Sequence, residues 1–272
     1  MIRRLGEAGI EDPRREAMLL LERFAGVSFA GILSDRGRDY SLPELEAALR
    51  ERGERRPLQY ILGQWDFCGL TFRVTEDCLI PRPDTEIVAE RAADLLPPEG
   101  RFLDLCTGSG CIAGAVLALS KDRGTSGLAV ELVPETARLA RENLAALGFS
   151  DLCPVLTGDL RDADWLLDPG DRFDVIVSNP PYVTAEEMEH LEPELYREPR
   201  TALTDEGDGL SLIRAIIGLY PDRLKPGGVL LIEHGWRQAE AVRDMAERAG
   251  LTYAPIRDYG GNTRAAEMRK KT

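Results

Sequence analysis

The stretch RFLDLCTGSGCIAGAVLALS (101–120) decides the fold class. Phe102, Leu103 and Leu105 make a short apolar strand, residues 111–120 read as a helix, and Gly108 and Gly110 stand in the turn between them. Small residues and glycines let a backbone approach a ligand closely, and the helix N-terminus that follows offers free N–H groups. The pattern is G-x-G after a strand, without the full G-x-G-x-x-G, because Ala113 occupies the third glycine position. Taken alone, DLCTGSG fits a tight structural turn as well as a nucleotide or nucleoside site.

Strand and helix signals keep alternating downstream. GLAVEL (127–132) reads as strand and PETARLARENLAALG (134–148) as helix, with Pro at its first position and Gly at its end. FDVIVSN (173–179) is a strand with few polar residues, as expected where both faces of a sheet are covered. Residues 208–224 read as helix, 227–235 as strand and 236–250 as helix. Such alternation makes an α/β fold, a mainly parallel sheet with helices on both faces. Upstream the character differs. Residues 1–60 look helical: Met18, Leu19, Leu21 and Phe24 have mostly helical spacing before Gly26. A second helix opens at Ser41 as N-cap, with Leu42, Leu45 and Leu49 on one face. WDFCGLTFRV suggests a β-hairpin, and LIPRPDTE, stiffened by Pro81 and Pro83, an ordered connector. The expected organisation is a helical domain over 1–60, a hairpin connector over 61–86 and an α/β domain over 87–272.

The 272 residues suffice for a sizeable core, and no apolar run is long enough for a membrane span. Without a signal-peptide pattern, the chain is expected to be cytoplasmic. Five cysteines without a C-x-x-C pair, and two histidines, argue for reduced thiols and against a zinc site. Residues 1–60 balance 11 Arg with 11 Asp/Glu, so the net charge of −13 belongs to residues 61–272. Binding to a nucleic-acid backbone draws on basic groups, so this acidic body argues against a polynucleotide substrate, though a local basic patch would escape the total.

Glu131 ends the strand after the glycine turn, 21 residues beyond Gly110. It is either an ordinary carboxylate at a strand end or an acceptor for a ribose diol. With DLCTGSG it indicates an adenosine-type cofactor. NAD is one option; the composition of the loop favours S-adenosylmethionine. Asp159 and Leu160, in GDL (158–160), are placed to border an adenine, by hydrogen bonding and by packing. After the apolar strand comes NPPY (179–182): two prolines remove two N–H donors, fix two φ angles and freeze the loop. In an open parallel sheet ligands sit beyond the carboxyl ends of the strands, which is where the turn, Glu131, Asp159 and Asn179 should converge.

NPPY belongs to the (D/N/S)-P-P-(Y/F/W) pattern of methyltransferases that act on a nitrogen conjugated to a π system. The whole chain resembles the HemK/PrmC family, the release-factor glutamine methyltransferases, on RRPLQYILGQWDF, CLIPRPDTE, LEPELYREPRTALTDEGDGL and LKPGGVLLIEHGWRQAEAV. The resemblance implies a Rossmann-like, seven-stranded class I methyltransferase domain behind a small helical domain that helps recognise class I release factors. It implies S-adenosylmethionine contacts at Cys106, Thr107, Gly108, Ser109, Gly110, Glu131, Asp159, Leu160 and Asn179. It also implies a substrate glutamine held by Asn179, Pro180, Pro181 and Tyr182. Cys106 stands where glycine is usual in the family, and Glu131 where aspartate is usual.

The implied mechanism is positional. An amide nitrogen is a poor nucleophile, but its NH2 carries two donors. Acceptance by the Asn179 oxygen and the Pro180 carbonyl would aim the nitrogen at the methyl group, with Tyr182 against the amide plane. The expected catalytic residues are Asn179, Pro180 and Tyr182, without a metal, in a chain that acts as a monomer. Two other readings stand: an N-methyltransferase acting on RNA or DNA bases, whose binding would fall steeply with salt, and a catalytically silent module that docks on translation factors and binds cofactor without turnover.

Overall fold

The computed structural model describes residues 1–34, 40, 42–258 and 260–271. Helices come first: α1 (Ile2–Glu7), α2 (Pro13–Ala25), α3 (Phe29–Ser34), α4 (Pro43–Gly53) and α5 (Leu58–Leu62). Helix α2 shows why the chain turns helical here. Asp12 caps it, accepting a hydrogen bond from the Arg15 N–H at 3.0 Å, Pro13 occupies its first turn, and Gly26 closes it in the left-handed conformation. Leu5, Leu20, Leu21, Leu45 and Leu49 share one small core. Two expectations shift. Ala17 and Leu20 join Leu21 in this core, with Leu19 and Phe24 partly buried against it and Met18 outside it, and Leu42 is exposed at the cap position of α4. The expected cap, Ser41, lies outside the described residues.

Strands β1 (Gln64–Phe67) and β2 (Leu70–Arg73) form the expected antiparallel hairpin. The connector then becomes helix sooner than its prolines suggest: α6 spans Pro83–Leu95, with Pro83 in its first turn. A proline at that position starts a helix, because its missing N–H would have had no partner. The expected division at residue 86 therefore falls inside a helix.

The sheet is built from β3 (Arg101–Leu105), α7 (Cys111–Leu119), β4 (Ser126–Glu131), α8 (Pro134–Ala146), β5 (Val155–Thr157), α9 (Ala163–Leu166), β6 (Phe173–Ser178), α10 (Arg200–Leu203), α11 (Ser211–Leu219), β7 (Leu224–Glu233), α12 (Ala239–Arg248), β8 (Leu251–Arg257) and β9 (Thr263–Lys270). Its seven strands run in the order β5-β4-β3-β6-β7-β9-β8. The pairs from β5 to β7 are parallel, and β9 joins β7 and β8 antiparallel. The closing β8–β9 hairpin has no counterpart in the sequence reading, which ended at residue 250. Pro255 and the charged residues of β9 obscure the alternation there. The helix expected over 208–224 is α11 alone; a 3-10 turn at Pro221–Arg223 leads directly into β7.

One face of the sheet packs against α6, α7 and α8 through Val88, Ala92, Val116, Ala140 and Leu144, with the hairpin residues Phe67 and Phe72 beneath them. The other face packs against α11 and α12 through Ile213, Ile216, Ile217, Val242 and Ala246. Each such buried branched side chain contributes about 1.5–3 kcal/mol. The chain runs from β3 outward to β4 and β5, then returns to β6 on the other side of β3. A crevice must open where the direction reverses, beyond Leu105 and Ser178. These two residues are partners in register, and the Ser178 hydroxyl donates to the Leu105 carbonyl at 2.8 Å.

Candidate active site

An open cleft occupies that crevice, with about 970 Å³ of empty space including its mouth. Of the residues singled out from the sequence, Cys106, Thr107, Gly108, Ser109, Glu131, Asp159, Leu160, Asn179 and Pro181 line it. Gly110, Pro180 and Tyr182 lie outside the lining.

The glycine turn is held on three sides. Asp104, fully buried at the end of β3, accepts hydrogen bonds from the Thr107 hydroxyl at 2.6 Å and the Ala113 N–H at 3.2 Å. Burial pushes its pKa up to about 7, against those two donors. Glu131 accepts from the Gly108 N–H at 2.9 Å with one oxygen and from the Val133 N–H at 3.0 Å with the other. Burial raises its pKa, and the backbone N–H groups of Val133, Gly108 and Leu132 oppose the rise. Glu131 thus ties the end of β4 to the turn, and each oxygen keeps a second lone pair for a ligand. Asn143, on α8, supplies the third hold, donating to the Ser109 carbonyl at 2.8 Å and the Arg73 carbonyl at 2.9 Å.

Cys106 leaves β3 at φ 59, a left-handed conformation that suits glycine, the residue usual there in the family it resembles. Burial raises its thiol pKa, and the nearby Glu131 charge raises it further, so the sulfur stays a protonated, weakly nucleophilic thiol. Asp159 is occupied by Arg161: it accepts from the Arg161 backbone N–H at 2.9 Å and pairs with the guanidinium, which holds its carboxyl below the usual range. Leu160 is buried at the cleft wall, and its carbonyl accepts the Tyr220 hydroxyl at 2.6 Å.

On the β6 side the Asn179 side chain donates from Nδ2 to Thr85 Oγ1 at 3.1 Å. The Tyr182 hydroxyl donates to Glu233 Oε1 at 3.1 Å, and its carbonyl accepts from Gln238 Nε2 at 2.9 Å. Glu233 ends β7 and is almost fully buried. Burial pushes its pKa up to about 7, while the Thr85 and Tyr182 hydroxyls and the Arg264 charge pull the other way. Sequence reasoning missed Thr85 and Glu233; both sit in the quoted segments CLIPRPDTE and LKPGGVLLIEHGWRQAEAV, which was the signal. For Arg82 and Glu86 the sequence leaves two roles open, positioning the connector or lining the pocket. Arg82 lines the cleft and pairs with buried Glu198, which also accepts the Ile80 N–H at 3.0 Å. Glu86 accepts the Cys68 N–H at 2.7 Å and so joins the hairpin to α6.

The segment after NPPY is also fastened to the helices at the front of the chain. Glu194 takes Arg52 Nη1 at 2.9 Å and Arg55 Nη2 at 2.6 Å. Arg52, only 6% exposed, is shared with Glu16.

The residues present fit an adenosine-bearing cation. A carboxylate stands at the end of β4, Ile112, Leu132 and Leu160 supply an apolar wall, and a left-handed turn closes one side. Among the described residues, no group of His, Cys, Asp and Glu is arranged to hold a metal ion, and no helix is long and apolar enough to cross a membrane.

Comparison with known proteins agrees with this geometry. The family "PrmC N-terminal domain" matches residues 1–63, and "Conserved hypothetical protein 95" matches 69–205. The catalytic domain of hMettl16, solved with an RNA hairpin, aligns at TM-score 0.58 and 20% identity, covering 81% of this chain and 82% of that one. This likeness shows the fold alone. The release factor glutamine methyltransferase of Bordetella pertussis is 42% identical, covering 88% of each chain. That of Cereibacter sphaeroides is 40% identical, covering 98% of this chain and 94% of the other. With such identity over nearly full length, on a methyltransferase sheet whose crevice holds both the glycine turn and Asn179, the chain belongs to the release factor glutamine methyltransferase family.

Proposed function

We propose that this enzyme transfers the methyl group of S-adenosylmethionine to the side-chain amide nitrogen, N5, of the glutamine in the Gly-Gly-Gln motif of class I peptide chain release factors. The observation that carries the reading is one cleft lined by Cys106 to Ser109 and Glu131 on one side and by Asn179 on the other. S-adenosylmethionine, when bound, would supply an electrophilic methyl group: as its S–CH3 bond breaks and the N–CH3 bond forms, a neutral thioether is left and the amide nitrogen gives up one N–H proton to water. Glu131 accepts from the ribose diol with its spare lone pairs, Ile112 and Leu160 cover the base, and Cys106 to Gly110 pass close to the cofactor. Asn179 accepts one N–H of the substrate amide at Oδ1, and the Pro180 carbonyl accepts the other. Pro181, rigid at the cleft wall, fixes the direction of both.

Tyr182 acts from behind the loop: its hydroxyl is engaged by Glu233, which holds the ring in place. Held in this way, the amide nitrogen points at the methyl group, and alignment of this kind contributes up to roughly 7–11 kcal/mol in well-ordered systems. The helices over 1–60 help recognise the release factor. The acidic body and the five unpaired cysteines suit a cytoplasmic enzyme that acts as a monomer on a protein, without gripping nucleic acid.

The test is mass spectrometry of a purified release factor incubated with this protein and S-adenosylmethionine. One added methyl on the glutamine, reduced about a hundredfold or more in Asn179→Ala with cofactor affinity retained, is the expected result. An unmodified Gly-Gly-Gln peptide alongside tight cofactor binding would overturn the reading. So would an Asn179→Ala variant of normal rate.

A further inference from the structure

A side-chain amide is nearly symmetric in shape but opposite in chemistry at its two ends. For Asn179 to accept from a substrate, its oxygen must face the cleft and its NH2 must face the protein. The structure contains a device that decides between these orientations. Nδ2 donates to Thr85 Oγ1 at 3.1 Å. Thr85 is 1% exposed, near the N-terminus of α6, and lines the same cleft. The Thr85 hydroxyl oxygen has two lone pairs, so it can accept from Asn179 and still keep its own proton for another acceptor. Glu233, whose Oε1 takes the Tyr182 hydroxyl at 3.1 Å, stands nearby with Oε2 buried and, among the described residues, without a partner. Among the described residues Asn179 Oδ1 has no hydrogen-bond partner and is not a buried unpaired atom, and Asn179 lines the cleft.

We propose that Thr85 is a positioning residue: its hydroxyl oxygen accepts from Nδ2 and holds the Asn179 amide with Nδ2 turned into the protein and Oδ1 presented to the cleft. Its consequence for methyl transfer rests on the function proposed above; the orientation itself does not.

Thr85→Val keeps the branched shape and removes the acceptor, and Thr85→Ser restores it. The side-chain amide protons of Asn179, followed by NMR in 15N-labelled full-length protein, should exchange about tenfold faster in Thr85→Val and return towards wild type in Thr85→Ser. With a release factor as substrate, Thr85→Val should lose about tenfold in kcat at unchanged affinity for S-adenosylmethionine, and Thr85→Ser should recover most of it. Wild-type exchange and wild-type kcat in Thr85→Val would overturn the proposal. So would a loss in Thr85→Val that Thr85→Ser fails to repair, since that marks packing and not the hydroxyl. If wild-type protein left the release factor unmodified, the substrate reading would fall while the exchange rates still decided the role of Thr85.

Discussion

The two sides of the cleft are held by different means. On the β3–β4 side, most of the holds are local, a left-handed turn and N–H groups drawn onto Glu131 and Asp104 within about thirty residues, with the Asn143 side chain reaching in from α8. On the β6–β7 side, position comes from side chains of remote segments. Thr85 lies 94 residues from Asn179, and Glu233 lies 51 from Tyr182. A cofactor shared by many enzymes needs only a cradle of fixed shape. An amide that must be aimed needs partners that constrain its rotation as well as its place. The first side should therefore tolerate side-chain changes that leave its path intact, and the second should respond to single atoms.

Gly209→Ala is the strongest way to break the β6–β7 side. At φ +70 its added Cβ would lie 2.1 Å from the Tyr182 carbonyl oxygen and 2.7 Å from Gln238 Nε2. A loss of about 3 kcal/mol or more is expected from the urea midpoint. An unchanged midpoint would mean that the loop behind NPPY yields easily, and the contrast between the sides would fail.

Protonation comes next, because each side contains one acid that is buried to 1% exposure or less. Burial lifts Asp104 from 3.8 and Glu233 from 4.5, each to about 7. Between those values the folded protein keeps protons that the unfolded chain has released. The stabilisation is complete below about pH 4 and is lost as pH rises through 7. Urea unfolding at pH 5 and pH 8 should show wild type less stable at the higher pH, with Glu233→Gln and Asp104→Asn each removing on the order of 2 kcal/mol of the difference. If only one variant flattens the profile, the burden falls on that side alone.

Glu131→Gln retains one acceptor for the turn and loses the charge. It should weaken S-adenosylmethionine binding about tenfold by calorimetry while leaving Asn179 amide exchange unchanged. A change in that exchange would show the two sides to be coupled. The smallest effect belongs to Cys106→Gly. Removal of Cβ from a left-handed residue relieves about 1–2 kcal/mol, and the greater freedom of glycine in the unfolded chain offsets about half. A net gain in stability under 1 kcal/mol is expected, and a net loss would mean that the thiol packs better than its backbone suggests.

What was legible in the sequence follows the same division. DLCTGSG, Glu131 and NPPY declare themselves because strand ends, glycines and prolines act on their own neighbourhood. LIPRPDTE read as a connector because two prolines look extended, whereas Pro83 opens α6 and delivers Thr85 to the cleft. For Tyr182 the sequence offered a ring against the substrate but no partner for its hydroxyl; that partner is a glutamate that joins it only when β6 and β7 pair. The need for glycine at 209 depends on a carbonyl 27 residues earlier in the chain and was likewise out of reach of local spacing. The β8–β9 hairpin was missed because Pro255 interrupts the edge strand β8 and the charged residues of β9 mask its alternation.

Glu194 and Glu198 lie four residues apart, and each is bolted to a different part of the molecule, one to Arg52 and Arg55, the other to Arg82 and the Ile80 N–H. In a machinist's terms the front helices and the floor of the cleft are pinned to one short strap, five residues long, so a partner that seated on those helices would pull on the same strap that braces the cleft.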